Sequence, residues 1–300
     1  MLELTGITLK SGRKTWLKDV SLTARPRRLT GIVGQRGSGK TELVRVIMGL
    51  ITPDEGTVEL EGHELGFGDR QNFGYLPAER GGYPGMKVLE QIVYLARLHG
   101  MTMGAAERNA VTLLSRLDLS DRAYAPLSHL SGTEVARAEI AAVLAADPDV
   151  VVLDDPFDGL DAASTQKVFS LLRDHADSGV PVIFTSDSYE LTESVADDVI
   201  ALDHGKVVGK GALATLRRDA NLYAVRYESA AAAEAGRTSL VAHPGIDVAD
   251  DEETGAADRE LVVFSASDPQ AAFAAVAATS GVTEYGAHNA SLAELLKERI

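Results

Sequence analysis

Gly34-Gln35-Arg36-Gly37-Ser38-Gly39-Lys40-Thr41 fits the G-x-x-x-x-G-K-[ST] pattern of a phosphate-binding loop, and the apolar run at 29–33 leads into it. Glycines let the backbone curl so that its N–H groups face phosphate oxygens, and the helix that begins near Lys40 adds its positive end. A glycine-rich turn before a helix is the alternative, but all four fixed positions of the pattern match. The stretch therefore predicts a site for a nucleoside triphosphate. The predicted contacts are Gly34, Gln35, Arg36, Gly37, Ser38, Gly39, Lys40, Thr41 and Glu42.

A second apolar run, at 150–153, ends in two carboxylates, Asp154 and Asp155. Alone, such a run would often lead into a helix cap or a turn. Because ligands bind at the carboxyl ends of parallel strands, a phosphate loop upstream places Asp154 beside the phosphates. Thr41 and Asp154 are the predicted magnesium ligands, and Lys40 is expected to reach the outer phosphates.

Composition narrows the class of protein. The 300 residues are 45% hydrophobic and include no cysteine, which excludes disulfides, thiolate metal sites and a cysteine nucleophile. The net charge of −15 argues against a nucleic-acid partner, because that binding relies on lysine and arginine. No run approaches the roughly 20 apolar residues of a spanning helix, and the first residues do not resemble a signal peptide. We expect a cytoplasmic protein.

Apolar runs alternate with helical patterns, which predicts an α/β fold with a largely parallel sheet covered by helices. Strands are predicted at 2–9, 20–24, 29–33, 57–60, 73–76, 150–153, 180–184 and 199–202, with helices after 40, at 164–176 and near 189. Between 87 and 119 the pattern is helical throughout. Its predicted inward residues are Val88, Ile92, Leu95 and Leu98, followed by Val111, Leu114 and Leu117.

In order and spacing, the segments of residues 1–217 resemble the ATP-binding subunits of ABC transporters. The resemblance rests on residues 34–41, 48–50, 53–56, 130–134, 147–148, 153–156 and 159–161. The stretches at 74–81, 83–84 and 88–91 look closest to subunits that serve ABC-2-type exporters. A phosphate-loop kinase would leave the segments at 131 and at 160–161 unexplained.

The resemblance implies a P-loop NTPase parallel sheet with an antiparallel β subdomain and an inserted helical subdomain at about 83–130. In this family two ATP-binding domains meet head to tail, so Ser131 and Gly132 are expected near the ATP of a partner. That partner would be a second copy or a different ATP-binding subunit. Transport would require a separate membrane permease, holding the chain at the inner face of the cell membrane. A groove lined by residues such as Tyr83, Met86 and Val88 is the expected permease contact, with packing in the core as an equally good alternative for Val88.

Several positions depart from the family's pattern, and most of them concern hydrolysis. Asp155 stands where glutamate usually polarises the attacking water, and general-base catalysis depends first on reach. Asp187 stands where a histidine is expected, and an ionised carboxylate has no proton to donate to a phosphate. Ala78 stands where glutamine is usual.

The signature segment, residues 130–134, also departs, because Thr133 and Glu134 replace glycine and glutamine. Ser11 replaces the aromatic residue that stacks on adenine; Trp16 could substitute for it, although a core position is the simpler expectation. Taken together, the departures predict an ATP-binding subunit with weak intrinsic hydrolysis, in which Asp155 would orient water. The alternative is a regulatory module, or a heterodimer partner, that binds ATP without hydrolysing it.

Residues 218–300 are predicted to form a small C-terminal α/β appendage. Strands are expected at 222–227 and 261–264, a helix at 271–278 and a solvated acidic loop at 247–260. A terminal amphipathic helix would be capped by Ser291, with Leu292, Leu295 and Leu296 facing inward.

Overall fold

The computed structural model describes residues 1–12, 14–66, 68–79, 81–219, 221–249, 259–288 and 290–297. The chain forms two compact units, Met1–Gly211 and Ala212–Ile300. The division falls a few residues before position 217, where the sequence places it. No helix in the described ranges combines the length and the apolarity that crossing a membrane requires.

The first unit contains two sheets and a set of helices. Its strands are β1 (Leu2–Ser11), β2 (Lys14–Ala24), β3 (Leu29–Val33), β4 (Glu55–Leu60), β5 (His63–Glu64), β6 (Phe73–Leu76), β7 (Val150–Leu153), β8 (Val182–Ser186), β9 (Asp198–Asp203) and β10 (Lys206–Ala212). Its helices are α1 (Lys40–Ile47), α2 (Val88–Leu98), α3 (Met103–Arg116), α4 (Gly132–Ala145), α5 (Ala162–Asp177) and α6 (Tyr189–Val195).

The central sheet has the strand order β10-β9-β3-β8-β7-β6, and β3 pairs in parallel with both β8 and β9. Successive side chains of a strand point to opposite faces, so a strand that is apolar throughout contributes side chains to a core on each face of the sheet. Val150 and Val152 of β7 accordingly belong to one cluster, whereas Val151 and Leu153 belong to the other. The parallel pairing of β6, β7 and β8 brings the carboxyl ends of these strands to the same edge as that of β3.

The first of these cores lies between the central sheet, α1 and an antiparallel sheet of order β2-β1-β4-β5. Helix α1 buries Leu43, Val44 and Ile47 in it. The helix that follows the phosphate loop is therefore held by packing along its length, and its N-terminus is fixed relative to the sheet edge.

Helices α2 and α3 form the predicted helical layer over the opposite core, and α4, which lies beyond the predicted range, packs against both. The prediction that Leu98 and Val111 face inward is wrong, because Leu98 is 64% exposed and Val111 is 56% exposed. Leu98 is the last residue of α2. Val111 follows Ala110, which belongs to the buried stripe, and one residue is about 100° of rotation in a helix.

In its described residues, the second unit is a four-stranded antiparallel sheet with helices. Its elements are α7 (Leu213–Asp219), β11 (Leu222–Tyr227), α8 (Ala230–Val241), β12 (Ile246–Val248), β13 (Leu261–Ala266), α9 (Pro269–Ala277), β14 (Val282–Ala287) and α10 (Leu292–Lys297). The βαββαβ succession and the sheet order β12-β13-β11-β14 are those of the split βαβ, or ferredoxin-like, arrangement. Helices α8 and α9 bury alanines and Leu240 against the sheet.

Several expectations for this unit need correction. The sequence pattern predicts neither the strand β14 nor the alanine-rich helix α8. Asp247 lies in the strand β12 and not in a loop, and most of the predicted acidic loop, 250–258, lies outside the described residues. In α10, Leu292 and Leu296 are buried, whereas Leu295 is half-buried.

Candidate nucleotide-binding site

The phosphate loop connects β3 to α1 and depends on glycine at two places. At Gly39 the backbone has φ 105°, and a Cβ there would lie 2.9 Å from the carbonyl oxygen of Trp16. A side chain at Gly34 would clash with the carbonyl oxygen of Leu202. Only glycine satisfies both conditions, so the curled conformation follows from the sequence pattern.

Lys40 is the first residue of α1, and its ammonium lies inside the loop. Its Nζ donates hydrogen bonds to the carbonyl oxygens of Gly34, at 2.5 Å, and Gln35, at 3.1 Å. Burial lowers the pKa of Lys40, while the charges of Asp155 and Asp187 oppose that shift. The ammonium thus lies within the electrostatic reach of carboxylates that follow β7 and β8.

The remaining predicted contacts are distributed over the loop and the first turn of α1. Gln35, Arg36 and Gly37 are exposed, whereas Ser38 is buried and its hydroxyl has no hydrogen-bond partner among the described residues. Thr41 and Glu42 are half-buried. The exposed apex and the unpaired hydroxyl leave hydrogen-bonding capacity available to a ligand.

Asp154 follows β7 and is fully buried. Its Oδ1 accepts a hydrogen bond of 2.6 Å from the Thr185 hydroxyl, and its Oδ2 is buried without a partner among the described residues. A buried carboxylate oxygen is costly unless it is paired or coordinates a cation. Mg²⁺ in nucleotide sites takes one or two carboxylates together with phosphates and waters. The donor set of Asp154 and Thr41 therefore fits magnesium.

Asp155 has a left-handed backbone with φ 48°, a conformation in which aspartate is enriched. Its amide donates a 2.9 Å hydrogen bond to the hydroxyl of Thr185. Burial raises the pKa of Asp155, as does the charge of Asp154, while Lys40 opposes the shift. Its side chain faces a cavity whose walls also include Asp158 and Asp187.

Thr185 is a functional position that sequence reasoning missed. It is fully buried in β8, and its one hydroxyl links Asp154 to the backbone of Asp155. The available signal was a polar residue inside an otherwise apolar strand pattern.

The signature segment, residues 130–134, forms the capped start of helix α4. Ser131 is the N-cap of α4, and its backbone N and its Oγ both donate to Glu134 Oε2, at 2.8 and 2.9 Å. Arg122 also binds Glu134, and together these hydrogen bonds lower the pKa of Glu134 to about 2. Glu134 therefore completes a capping box, whereas the sequence analysis treats it only as a departure from the family's pattern. Among the described residues, no hydrogen bond joins Ser131 or Gly132 to the phosphate loop.

The other departures lie at the surface. Ala78 is exposed after β6, and Ser11 is exposed at the end of β1. Trp16 is half-buried against the core, in agreement with the simpler expectation, and the Lys14 ammonium lies 3.1 Å from the centroid of its ring.

Of the three residues predicted to line the permease groove, only Tyr83 lines a cavity there, as far as the described residues show. Tyr83 lines a cavity together with Gln91, Leu95 and His99, but Met86 and Val88 do not line it. Val88 is 1% exposed because it packs in the core beneath α2. The contact prediction is therefore wrong for Val88.

The comparisons with known proteins identify the family. The sequence model of the ABC transporter family matches residues 17–158. The uncharacterized ABC transporter ATP-binding protein YhaQ of Bacillus subtilis is 31% identical over 218 residues, which make up 73% of this chain and 73% of the relative. The chain belongs to the ABC transporter ATP-binding proteins.

Further likeness to ABC proteins concerns both sequence and fold. The Nod factor export ATP-binding protein I of Ralstonia nicotianae is 28% identical over 214 residues, or 70% of this chain and 67% of the relative. An ATP-binding cassette solved as a dimer in a post-hydrolysis state with ADP and Pi matches with a TM-score of 0.64 at 23% identity. That match covers 71% of this chain and 98% of the solved one and shows the mixed α/β cassette fold. ATP-binding subunits of ABC transporters bind ATP and act as dimers with membrane permeases.

Proposed function

We propose that this ABC protein binds magnesium-ATP through residues 34–42, energises a separate export permease and hydrolyses ATP slowly on its own. The observation that carries the nucleotide site is the buried Oδ2 of Asp154, which has no hydrogen-bond partner in the described part of the chain and lies beside a loop that already holds Lys40. A bound Mg²⁺ would neutralise phosphate charge. Thr41 and Asp154 would hold the ion, and the loop amides together with Lys40 would bind the phosphates.

Slow hydrolysis is proposed from the chemistry around Asp155. The oxygen of a general base must come within roughly 2.6–3.2 Å of the water oxygen whose proton it takes, and aspartate is one methylene shorter than glutamate. Asp158 and Asp187 line the same cavity, so this face of the site gathers negative charge where an attacking water would be activated. We assign the water-orienting role to Asp155.

A dimer with a second ATP-binding subunit, identical or different, is part of the proposal. The solved post-hydrolysis cassette is dimeric, and the N-terminus of α4 favours an anion, although Ser131 would have to exchange its bonds to Glu134 for a phosphate. We therefore assign Ser131 and Gly132 to the partner's nucleotide. The export direction rests on the relative named for Nod factor export, and attachment to the inner face of the membrane would occur through the permease.

A second candidate function is a module that binds ATP without hydrolysing it and serves as a regulatory or heterodimer partner. The acidic side chain of Asp187, where a proton donor to phosphate is expected, favours it. Because both candidates require nucleotide binding, only the rate of ATP hydrolysis distinguishes them.

The test measures magnesium-ATP affinity by calorimetry and steady-state phosphate release on the purified chain. We expect micromolar-range binding that Lys40→Ala abolishes, with slow release that Asp155→Glu accelerates at least fivefold. Rapid release by the wild-type chain, lost in Lys40→Ala, would contradict slow hydrolysis. Release no faster than in Lys40→Ala, for both wild type and Asp155→Glu, would favour the non-hydrolysing module.

A further inference from the structure

Asp187 directly follows β8, at the sheet edge that also holds the phosphate loop. Its Oδ2 lies 3.6 Å from Nε of Arg36, at the apex of that loop. Both side chains are largely solvent-exposed, at 51% for Asp187 and 92% for Arg36. Exposed pairs of this kind contribute little stability, so an incoming phosphate can take Arg36 as its own partner. The Asp187 charge then stays at the mouth of the loop.

The groups facing this position are unevenly charged. Lys40 and Arg36 provide two cations, while Asp155, Asp158 and Asp187 line the adjoining cavity. The charge of Asp187 is close enough to act on the Lys40 ammonium, the group that a phosphate loop directs at the outer phosphates. A terminal phosphate that approaches Lys40 therefore also approaches the Asp187 carboxylate.

We propose that Asp187 selects against a terminal phosphate whose charge is not neutralised by a divalent cation, so that without Mg²⁺ the site binds ADP more tightly than ATP. Discrimination comes from repulsion, since both nucleotides share every contact up to the second phosphate. Mg²⁺ removes the preference because it brings positive charge to the outer phosphates. The inference rests on the proposed nucleotide site and adds how that site distinguishes its ligands.

The experiment measures dissociation constants of ADP and ATP in EDTA and in excess Mg²⁺ by displacement of a fluorescent ADP analogue. The proteins are wild type, Asp187→Asn, Asp187→Ser and Lys40→Ala, with Glu190→Gln as a matched control. Glu190 is an exposed acid three residues further on, in α6, and it does not line the cavity. Thermal melting establishes that each variant is folded.

In EDTA we expect wild type and Glu190→Gln to bind ATP about tenfold more weakly than ADP, because one unit charge a few ångströms away at a protein surface has an effect of that order. In Asp187→Asn and Asp187→Ser the ratio should fall to about threefold or less. Equal dissociation constants for ADP and ATP in the wild type would overturn the inference, as would a ratio of the two constants that is unchanged in both Asp187 variants. In either case the proposed nucleotide site still holds if Lys40→Ala abolishes binding. Absence of binding in Mg²⁺, or binding that survives Lys40→Ala, would overturn both.

Discussion

At the scale of single residues, Thr185 connects the two carboxylates of the site. Thr185→Val keeps the shape of the side chain but removes the hydroxyl that bonds Asp154 Oδ1 and the amide of Asp155. Buried polar groups that lose a partner cost about 1–3 kcal/mol each, so for two groups we expect the free energy of unfolding to fall by about 2–6 kcal/mol. Thr185→Ser keeps the hydroxyl and should lose only about 1 kcal/mol. Urea unfolding measures both, and equal losses would contradict a role for the hydroxyl.

We expect the increase in ATP affinity on adding Mg²⁺ to require Asp154. Asp154→Asn keeps the size of the side chain and can still accept from Thr185, but it removes the charge that Mg²⁺ requires. We expect the gain in ATP affinity on adding Mg²⁺ to shrink by about tenfold or more, as for the loss of one close charge interaction. ADP affinity in EDTA should not decrease. Calorimetry with and without Mg²⁺ decides it, and a full magnesium effect in Asp154→Asn would refute this assignment.

The sequence predicts the loop and the position of Asp154 beside it, but not the side-chain contacts that link distant segments of the site. The glycine spacing predicts the loop from residues 34–41, because the conformation depends on glycines close together in the chain. The bond between Thr185 and Asp154 joins residues 31 positions apart, and the pair of Arg36 and Asp187 spans even more of the chain. Such contacts depend on strand order, which spacing alone does not give.

At the scale of secondary structure, the start of α4 is stabilised by the charge of Glu134. Its pKa is about 2 in the folded chain, below its ordinary value, so the ionised form favours folding. That contribution is complete above pH 4.5 and is lost as the pH falls towards 2. We expect the difference in melting temperature between wild type and Glu134→Gln to be larger at pH 6 than at pH 3. A difference that does not change with pH would contradict the charged cap.

Arg122 provides the control for this prediction, because its guanidinium donates to Glu134 at 2.9 Å. Arg122→Ala should raise the pKa of Glu134 without abolishing the capping box, since the bonds from Ser131 remain. An NMR titration of the Glu134 carboxyl measures the shift.

Strands are predicted correctly from the sequence where an apolar run alone determines them. β3, β6, β7 and β11 coincide with their predicted ranges, because each is an apolar run bounded by turn residues. β10 and β14 were missed because they contain glycine and charged residues and obtain their stability from pairing with neighbouring strands. The alanine-rich α8 lacks an apolar stripe that would have distinguished it from a linker.

At the scale of the whole molecule, every residue assigned to the nucleotide site lies in the unit Met1–Gly211. That unit has two hydrophobic cores of its own, and the core of the second unit contains only residues of Ala212–Ile300. We therefore expect a chain of residues 1–211 to fold cooperatively and to bind magnesium-ATP within about threefold of the affinity of the full chain. Circular dichroism melting and calorimetry measure both properties, with Lys40→Ala in each length as the control. A folded 1–211 chain that had lost nucleotide binding would mean that the second unit contributes to the site, whereas preserved binding would limit its role to other steps.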